Sequence, residues 1–497
     1  MIAVATGCVM APETSRQAAV AEWLARTMGA NAARISAWSR LSGGAIQSNI
    51  ALDVEVDGGG YSGSHRLVLR TDAATAVAAS LDRAREFTVL RAAWEAGVRA
   101  PEPLFLCEDK TILGTKFFVM RRLPGIAAGR RVVRDVALVP DRDALAFELG
   151  ENLARIHALT WPHAALGAID APAGDHARAA IAEYRSFLDV MDDAHPAIEW
   201  GLRWCELHAP AAARTTLIHR DYRTGNYLVD HGHLAGILDW EFAGWGDPRE
   251  DVGWFSARCW RFGAFDREAG GVASIEPFLR GYEAGGGAAP SRDELTYWQM
   301  MAHLRWAVIA LQQSRRHLVG GERSLELALT GRIVHELEYE IVHLTALPIR
   351  GSMANAAQAA RKEATPARDA ATADIADAGE LLASAGETLE RDVLRSASSE
   401  LRYPLLMVAR AIAIASREQR LGPAAAAAEA ARRAQLLAEA GMASVRDRPI
   451  ARHALAQAIR AGAFDSGPRR DALAAHLAET VRRDVAISNP AVLSEAT

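Results

Sequence analysis

The sequence predicts an α+β chain whose strands come early and whose carboxy-terminal segment is all-α. Three observations predict this. Strand-like alternation around a glycine-rich turn fills residues 40–70 and returns over 112–120. From residue 142 onward helical spacing of apolar residues dominates. A polar, alanine-rich stretch over 351–371 has the composition of a linker, and residues 372–485 beyond it are almost continuously helix-forming. At 497 residues the chain exceeds one hydrophobic core, so two or three domains are expected.

Taken in order, residues 12–28 read as a capped amphipathic helix and Arg40–Val56 as a strand. The turn Asp57–Ser64 leads into a second strand, His65–Arg70, where Arg66-Leu67-Val68-Leu69-Arg70 alternates. Residues 73–97 have helical periodicity, with Leu81, Ala84, Phe87, Leu90 and Trp94 on one stripe. Strand character over 112–120 ends at Leu123-Pro124-Gly125. Residues 142–208 are helical with a break near Pro162–Gly174. Short strands follow at Thr216–Ile218, Tyr227–Val229 and, after a His-Gly-His turn, Leu234–Leu238. Residues 291–347 are helical again. Beyond the linker, Leu381, Leu382, Ala385, Leu389, Val393 and Leu394 mark an apolar face, and Pro423 is expected to open a further helix.

Half the residues are hydrophobic, about a quarter are charged, and the net charge is −5, which gives no global pull toward nucleic acid or an anionic membrane. Arginine dominates the basic residues, since the lysines are Lys110, Lys116 and Lys362 alone. Cys8, Cys107, Cys205 and Cys259 show no metal or CxxC spacing and are expected as buried thiols in a reducing compartment. Met1–Arg16 lacks a secretory pattern, and no apolar run is long enough to span a membrane. The chain therefore reads as cytoplasmic.

The strongest chemical signal is Ile218-His219-Arg220-Asp221-Tyr222-Arg223-Thr224-Gly225-Asn226-Tyr227-Leu228-Val229, which fits H-R-D-x-x-x-x-N. Phosphoryl transfer needs a carboxylate to accept the hydroxyl proton and an amide oxygen beside the metal. A loop between two short strands can aim both at one point. Thirteen residues past Asn226, Asp239 ends the apolar strand Gly236-Ile237-Leu238, where kinases place the main metal ligand.

Together, His219–Val229, Ile237–Glu241 and Gly246–Asp251 resemble the aminoglycoside phosphotransferase and choline kinase superfamily, closest to the branch associated with acyl-CoA dehydrogenases. The resemblance spans about residues 30–345. It implies a two-lobed protein-kinase-like fold, ATP, Mg²⁺ and a small hydroxyl-bearing acceptor. The implied organisation is an amino-terminal lobe over 1–122, a carboxy-terminal lobe over 123–350, the linker 351–371, and a separate all-α domain over 372–497. That last segment faintly resembles a helical domain of unknown function. Asp221 would be the catalytic base, Asn226 and Asp239 the Mg²⁺ ligands, and Asp247 and Asp251 braces of the loop.

The same resemblance makes Leu41–Asn49 a reduced glycine loop, with Gly43, Gly44 and Ser48 at the phosphates. Glu86 takes the place of the helix glutamate that orients the phosphate-binding cation, and Phe118–Arg122 that of the hinge. Arg70 departs from the pattern, since lysine usually holds that strand position. Arginine keeps its charge and can grip phosphate through two N–H groups, but it is bulkier and directional. His231 and His233 read as a solvated turn, His157 as a core histidine, and most tryptophans between 200 and 260 as core.

Arg121, Arg122, Arg130, Arg131 and Arg134 follow the hinge, five arginines in fourteen residues, and point to an anionic acceptor. A hydroxyacyl-CoA is the favoured acceptor. The alternatives are a nucleotide-binding pseudokinase or scaffold, and a kinase of aminoglycosides or other antibiotics. A protein kinase is weaker, because no A-P-E segment or full G-x-G-x-x-G loop is present. No nucleic-acid or membrane partner is expected, and for the helical domain three roles stay open: docking a partner protein, promoting an oligomer or capping the acceptor site.

Overall fold

The structure, a computed structural model, describes residues 12–41, 47–72, 80–171, 174–345, 378–442 and 447–494. Its strands are β1 (Ala32–Arg40), β2 (Gln47–Asp57), β3 (Gly63–Asp72), β4 (Pro103–Cys107), β5 (Phe117–Arg121), β6 (Thr216–Ile218), β7 (Tyr227–Asp230), β8 (His233–Ile237) and β9 (Gly244–Gly246). The helices to residue 344 are α1 (Glu13–Thr27), α2 (Arg83–Glu95), α3 (Lys110–Leu113), α4 (Gly129–Arg134), α5 (Arg142–His157), α6 (His176–Leu188), α7 (Pro196–Leu207), α8 (Pro248–Ser256), α9 (Ile275–Ala284), α10 (Arg292–Leu318), α11 (Leu325–Arg332) and α12 (Val334–Leu344). After residue 377 come α13 (Ala378–Thr388), α14 (Ser399–Glu439), α15 (Arg448–Arg460), α16 (Gly467–Ser488) and α17 (Ala491–Ser494). The chain is α+β and divides into two compact units.

The first unit comprises residues 1–172, 212–256 and 260–291. Its antiparallel sheet runs β1-β2-β3-β5-β4. Strand alternation sends Leu67 and Leu69 into a core shared with Val20, Trp23 and Leu24 of α1. The same alternation turns Val68 and Arg70 to the opposite face, where α2 packs. Arg70 is therefore buried because its strand is covered on both faces.

Behind the sheet, α5 and α9 cross closely at two glycines. A Cβ on Gly150 would lie 2.0 Å from Phe278 O, and one on Gly281 would lie 2.0 Å from Phe147 O, so neither position has room for a side chain. Two small antiparallel pairs, β6–β9 and the hairpin β7–β8, frame the segment between 216 and 246. The His-Gly-His turn closes β7–β8 with φ of 47° at His231 and 84° at Gly232, the left-handed pair a tight hairpin requires.

Several expectations need correction. A strand, β1, precedes the expected one; Ala33, Ile35 and Trp38 pack on the core, but a register shift between Ile35 and Ala37 breaks their alternation. β4 was also absent from the reading, being short and opened by a proline. Residues 110–113 form a helical turn capped by Asp109, so the strand expected from 112 starts at Phe117. The helix expected over 73–97 starts at Arg83, where Asp82 accepts from Arg85 N, and Trp94 is exposed. The linker 351–371 lies outside the described residues.

The second unit comprises residues 173–211, 257–259 and 292–497. One core joins α6, α7, α10 and α12 through Ile181, Leu202, Met300, Leu304 and Ile341. A second joins Trp200 of α7 and Tyr339 and Val342 of α12 to Leu437, Leu455, Leu473 and Leu477 of the carboxy-terminal helices. Ion pairs Arg203–Asp465, Arg460–Glu199 and Arg452–Asp193 run along this seam. Pro423 does not open a helix; it lies with Pro404 inside α14, a single helix of 41 residues whose packing on α16 outweighs the missing backbone bonds. Of the apolar face expected at 381–394, Leu381 and Val393 are exposed and Leu394 is buried.

Candidate functional site

Arg70 is the hub of the sheet side. Its Nε lies 2.7 Å from Glu86 Oε1, and its Nη1 lies 2.9 Å from Asp239 Oδ1 and 3.2 Å from Asn49 Oδ1. Arg83 holds the other carboxylate oxygen of Glu86 and reaches Asp72 at 3.0 Å. Burial alone would lower the Arg70 pKa, but the charges of Glu86, Asp239 and Glu241 outweigh it and hold the guanidinium firmly protonated. Arg70 Nη2 is buried with no hydrogen-bond partner among the described residues. An acceptor brought to this point would meet an unused donor.

Asp239 follows β8 with φ 60° and ψ 64°, a left-handed conformation that costs energy in any residue but glycine. Its carboxylate is 31% exposed, so it faces both Arg70 and open space. Leu81 N donates to Glu241 O at 2.7 Å, which ties the start of α2 to the same segment.

The catalytic loop is held from behind by Asp251 of α8. Its carboxylate, fully buried, accepts from His219 N at 2.6 Å, Arg220 N at 2.8 Å and His157 Nε2 at 3.2 Å. Burial pushes the Asp251 carboxyl up, but the bond from His157 and the donors of His219 hold it below the usual range. His157 Nδ1 meets Tyr282 OH at 2.7 Å, which makes it a satisfied core residue. Asp247, expected as a second brace, instead pairs with Arg249.

His219 Nε2 donates to Leu238 O at 2.9 Å, while its Nδ1 accepts from Asp221 N at 3.2 Å. That pattern needs the neutral imidazole, and burial lowers the His219 pKa in the same sense. The ring thereby joins the Asp221 backbone to the strand that ends at Asp239.

Asp221 itself is 15% exposed. Its Oδ1 accepts from Arg223 Nε at 2.9 Å and Trp254 Nε1 at 3.0 Å, and its Oδ2 from Asn226 Nδ2 at 2.5 Å. Asn226 Nδ2 also donates to Asp221 O at 3.0 Å, which fixes the amide and turns its Oδ1 away from the aspartate. The Arg223 guanidinium lies 4.5 Å over the Trp260 ring, and Trp254 and Trp260 pack with centroids 5.2 Å apart.

Arg70, Glu86 and Asp239 thus meet directly, as do Asp221 and Asn226. Ser48 lies opposite Thr71 in the β2–β3 register, one residue from the Asn49–Arg70 pair. Gly43 and Gly44 lie outside the described residues. Sequence reasoning gave no role to Arg83 or Arg223 and read Trp254 and Trp260 among the core tryptophans; both are buried, and Trp254 also bonds Asp221. The arginine cluster is also less open than expected. Arg121 pairs with Glu102 at 2.6 Å, Arg122 with Asp53, and Arg131 with Asp135 at 3.2 Å, while Arg130 and Arg134 are exposed and free of ion pairs among the described residues.

The model of the phosphotransferase enzyme family (APH) matches residues 37–294, and that of a domain of unknown function (DUF6285) matches 395–492. Acyl-CoA dehydrogenase family member 10 of Mus musculus is 27% identical over 269 residues, covering 51% of this chain and 24% of that protein. Family member 11 of Homo sapiens is 26% identical over 269 residues, covering 51% of this chain and 34% of that protein. The chain thus spans about a quarter to a third of these relatives' length. A Ralstonia eutropha crystal structure, provisionally classed as an aminoglycoside phosphotransferase, superposes with a TM-score of 0.52 at 20% identity, covering 65% of this chain and 95% of that one. The shared fold is the two-lobed, protein-kinase-like one.

Proposed function

Because the chain belongs to the phosphotransferase enzyme family, we propose that it transfers the γ-phosphoryl group of ATP to a hydroxyl of a small metabolite. The observation that carries this reading is that Arg70 reaches Asp239 from a strand far away in sequence, while the loop of Asp221 and Asn226 is tied to the residue beside Asp239, Leu238 N donating to Asn226 O at 2.8 Å. The residues fit a magnesium nucleotide. Arg70 Nη2 is an orphaned donor, Asp239 is partly open, and Asn226 is locked with Oδ1 free of Asp221. Asp239 and Asn226 would hold Mg²⁺, whose charge would offset that of the phosphates. Among the described residues no group of three His, Cys, Asp or Glu side chains could hold a metal alone, so nucleotide oxygens would complete the shell.

In this reading Arg70 binds phosphate, steadied by Glu86, and Gly43, Gly44 and Ser48 border the same phosphates. Asp221 accepts the proton of the acceptor hydroxyl, for which its oxygens must exchange one present donor. Arg223 and Trp254 hold that carboxylate in place. Its low exposure keeps bulk water from competing for the same oxygen.

The acceptor is proposed to be anionic, with a hydroxyacyl-CoA as the first candidate. Arg130 and Arg134 carry that proposal, since the other arginines of the cluster already face carboxylates. The names of the two relatives, which join this sequence type to acyl-CoA dehydrogenases, support the same choice. A second reading, a nucleotide-binding protein without transfer, draws on the Arg70–Asp239 bond, which occupies two of the groups the nucleotide would need. An ADP-release assay with Mg-ATP and a panel of hydroxylated acceptors, CoA thioesters and aminoglycosides included, separates these readings. Acceptor-dependent ADP release supports transfer, whereas ATP binding with no release under any acceptor supports the second.

A further inference from the structure

Among the described residues, two of the cavities lie in the helical unit. The larger, about 680 Å³, has its arginines committed: Arg185 bridges Glu199 and Glu206, and Arg460 bridges Asp189 and Glu199. The smaller, about 110 Å³, is lined by α14, α15 and α16 with the start of α7 and Glu338 of α12. Of its arginines, Arg452 pairs with Asp193 and Arg483 with Glu479, but others have no such partner.

Among the carboxylates on this wall, Glu429 is taken by Arg433, Glu418 by Arg332, and Glu338 by His195 at 2.9 Å. Burial pushes the Asp484 carboxyl above its ordinary value, against the pull of His335, Arg452 and Arg448. Arg432 and Arg448 have no ion-pair partner among the described residues. Arg432 Nη2 reaches Thr480 Oγ1 at 3.3 Å, and its Nε is buried with no acceptor. The His476 side chain is 3% exposed, with Nδ1 buried and unpartnered and Nε2 3.8 Å from Glu429, beyond hydrogen-bond reach.

We propose that this cavity binds a small oxyanion of phosphate size, with Arg432 and Arg448 supplying charge and His476, as its Nδ1–H tautomer, a hydrogen bond. Orphaned buried donors are rare because each destabilises the fold until an acceptor reaches it. A tetrahedral oxyanion offers several acceptors at once and matches the guanidinium fork. With a water taking roughly 30 Å³, the space holds such a group but not a nucleotide. The shared chemistry is an oxyanion, either free phosphate or the end of a phosphate monoester. This inference stands independently of the kinase reading.

The test is calorimetry of the full chain with inorganic phosphate and, separately, glycerol 3-phosphate, against chloride at matched ionic strength. Saturable heat is expected with phosphate, weakened at least tenfold in the Arg432→Met/Arg448→Met variant and retained in Arg70→Ala. Heat with glycerol 3-phosphate as well would make the ligand a monoester; heat with phosphate alone would make it the free ion. Loss in Arg70→Ala with retention in the double variant would move the anion to the nucleotide site and overturn the proposal, as would no heat beyond chloride. Should the double variant fail to fold, the His476 ring resonance of the wild type decides. A shift on adding phosphate supports the site, and an unmoved resonance at saturation overturns it.

Discussion

Arg70 Nη1 lies 2.9 Å from Asp239 Oδ1, which ties the middle strand of the sheet to the residue that follows the β7–β8 hairpin. Glu86 holds the same guanidinium from the other side. The cation is therefore both a structural tie and the group aimed at phosphate.

Arg70→Ala should raise the ATP KM or lower kcat strongly and also destabilise the chain. Removing one partner of a buried pair costs about 3 kcal/mol or more, and Arg83, still on Glu86, should keep the loss near the lower end. Arg70→Lys should retain part of the activity, because a point charge survives but the fork to Glu86 and Asp239 does not. Steady-state kinetics and urea unfolding check both. Wild-type behaviour of Arg70→Ala would mean that the cation comes from elsewhere.

Asp239→Ala should abolish the dependence of nucleotide binding on Mg²⁺. Calorimetry with ATP, with and without the ion, reads this directly. An unchanged Mg²⁺ effect in the variant would remove Asp239 from the site.

For the acceptor, KM should rise with ionic strength more steeply than the ATP KM, since exposed charges are screened beyond roughly 8 Å at physiological salt. Arg130→Ala with Arg134→Ala should raise the acceptor KM severalfold at low salt. Arg131→Ala should do less, because its charge already answers Asp135. Equal effects at the three positions would contradict the assignment.

These outcomes also show what the sequence made legible. Asp221 and Asn226 sit five residues apart and bond each other, so local spacing carried their relation. Asp239 was readable because a short apolar strand ends there. The partners of Asp221 from farther away were not readable: Trp254 lies 33 residues on, and Trp260 meets the site only through Arg223. The arginine run after the hinge looked uniformly open because Asp53 and Glu102, which neutralise Arg122 and Arg121, come from other strands or loops. A register shift interrupts the apolar stripe of edge strand β1, and the two prolines within α14 concealed one long helix. Burial by a neighbour that is distant in sequence is the common cause.

His476 supplies a pH prediction. Burial lowers its pKa from the ordinary 6.5 to about 4. The unfolded chain therefore takes up this proton first as pH falls, so stability declines between about pH 6.5 and 4 and the contribution is constant below that. The loss is at most roughly 3 kcal/mol. In phosphate-free buffer the His476 ring should titrate near pH 4 by NMR, and His476→Gln should lose less stability between pH 7 and 4.5 than wild type. A ring titrating above pH 6 would contradict the buried, neutral assignment.

The central claim is phosphoryl transfer with Asp221 as the base, and acceptor-dependent ADP release by wild type and Asp221→Asn tests it most directly. The substitution keeps the shape around Arg223, Asn226 and Trp254 but removes the proton acceptor. Turnover should fall about 10²–10⁴-fold, as loss of a general base typically does, while Mg-ATP binding stays close to wild type. Turnover within about tenfold of wild type would contradict the account.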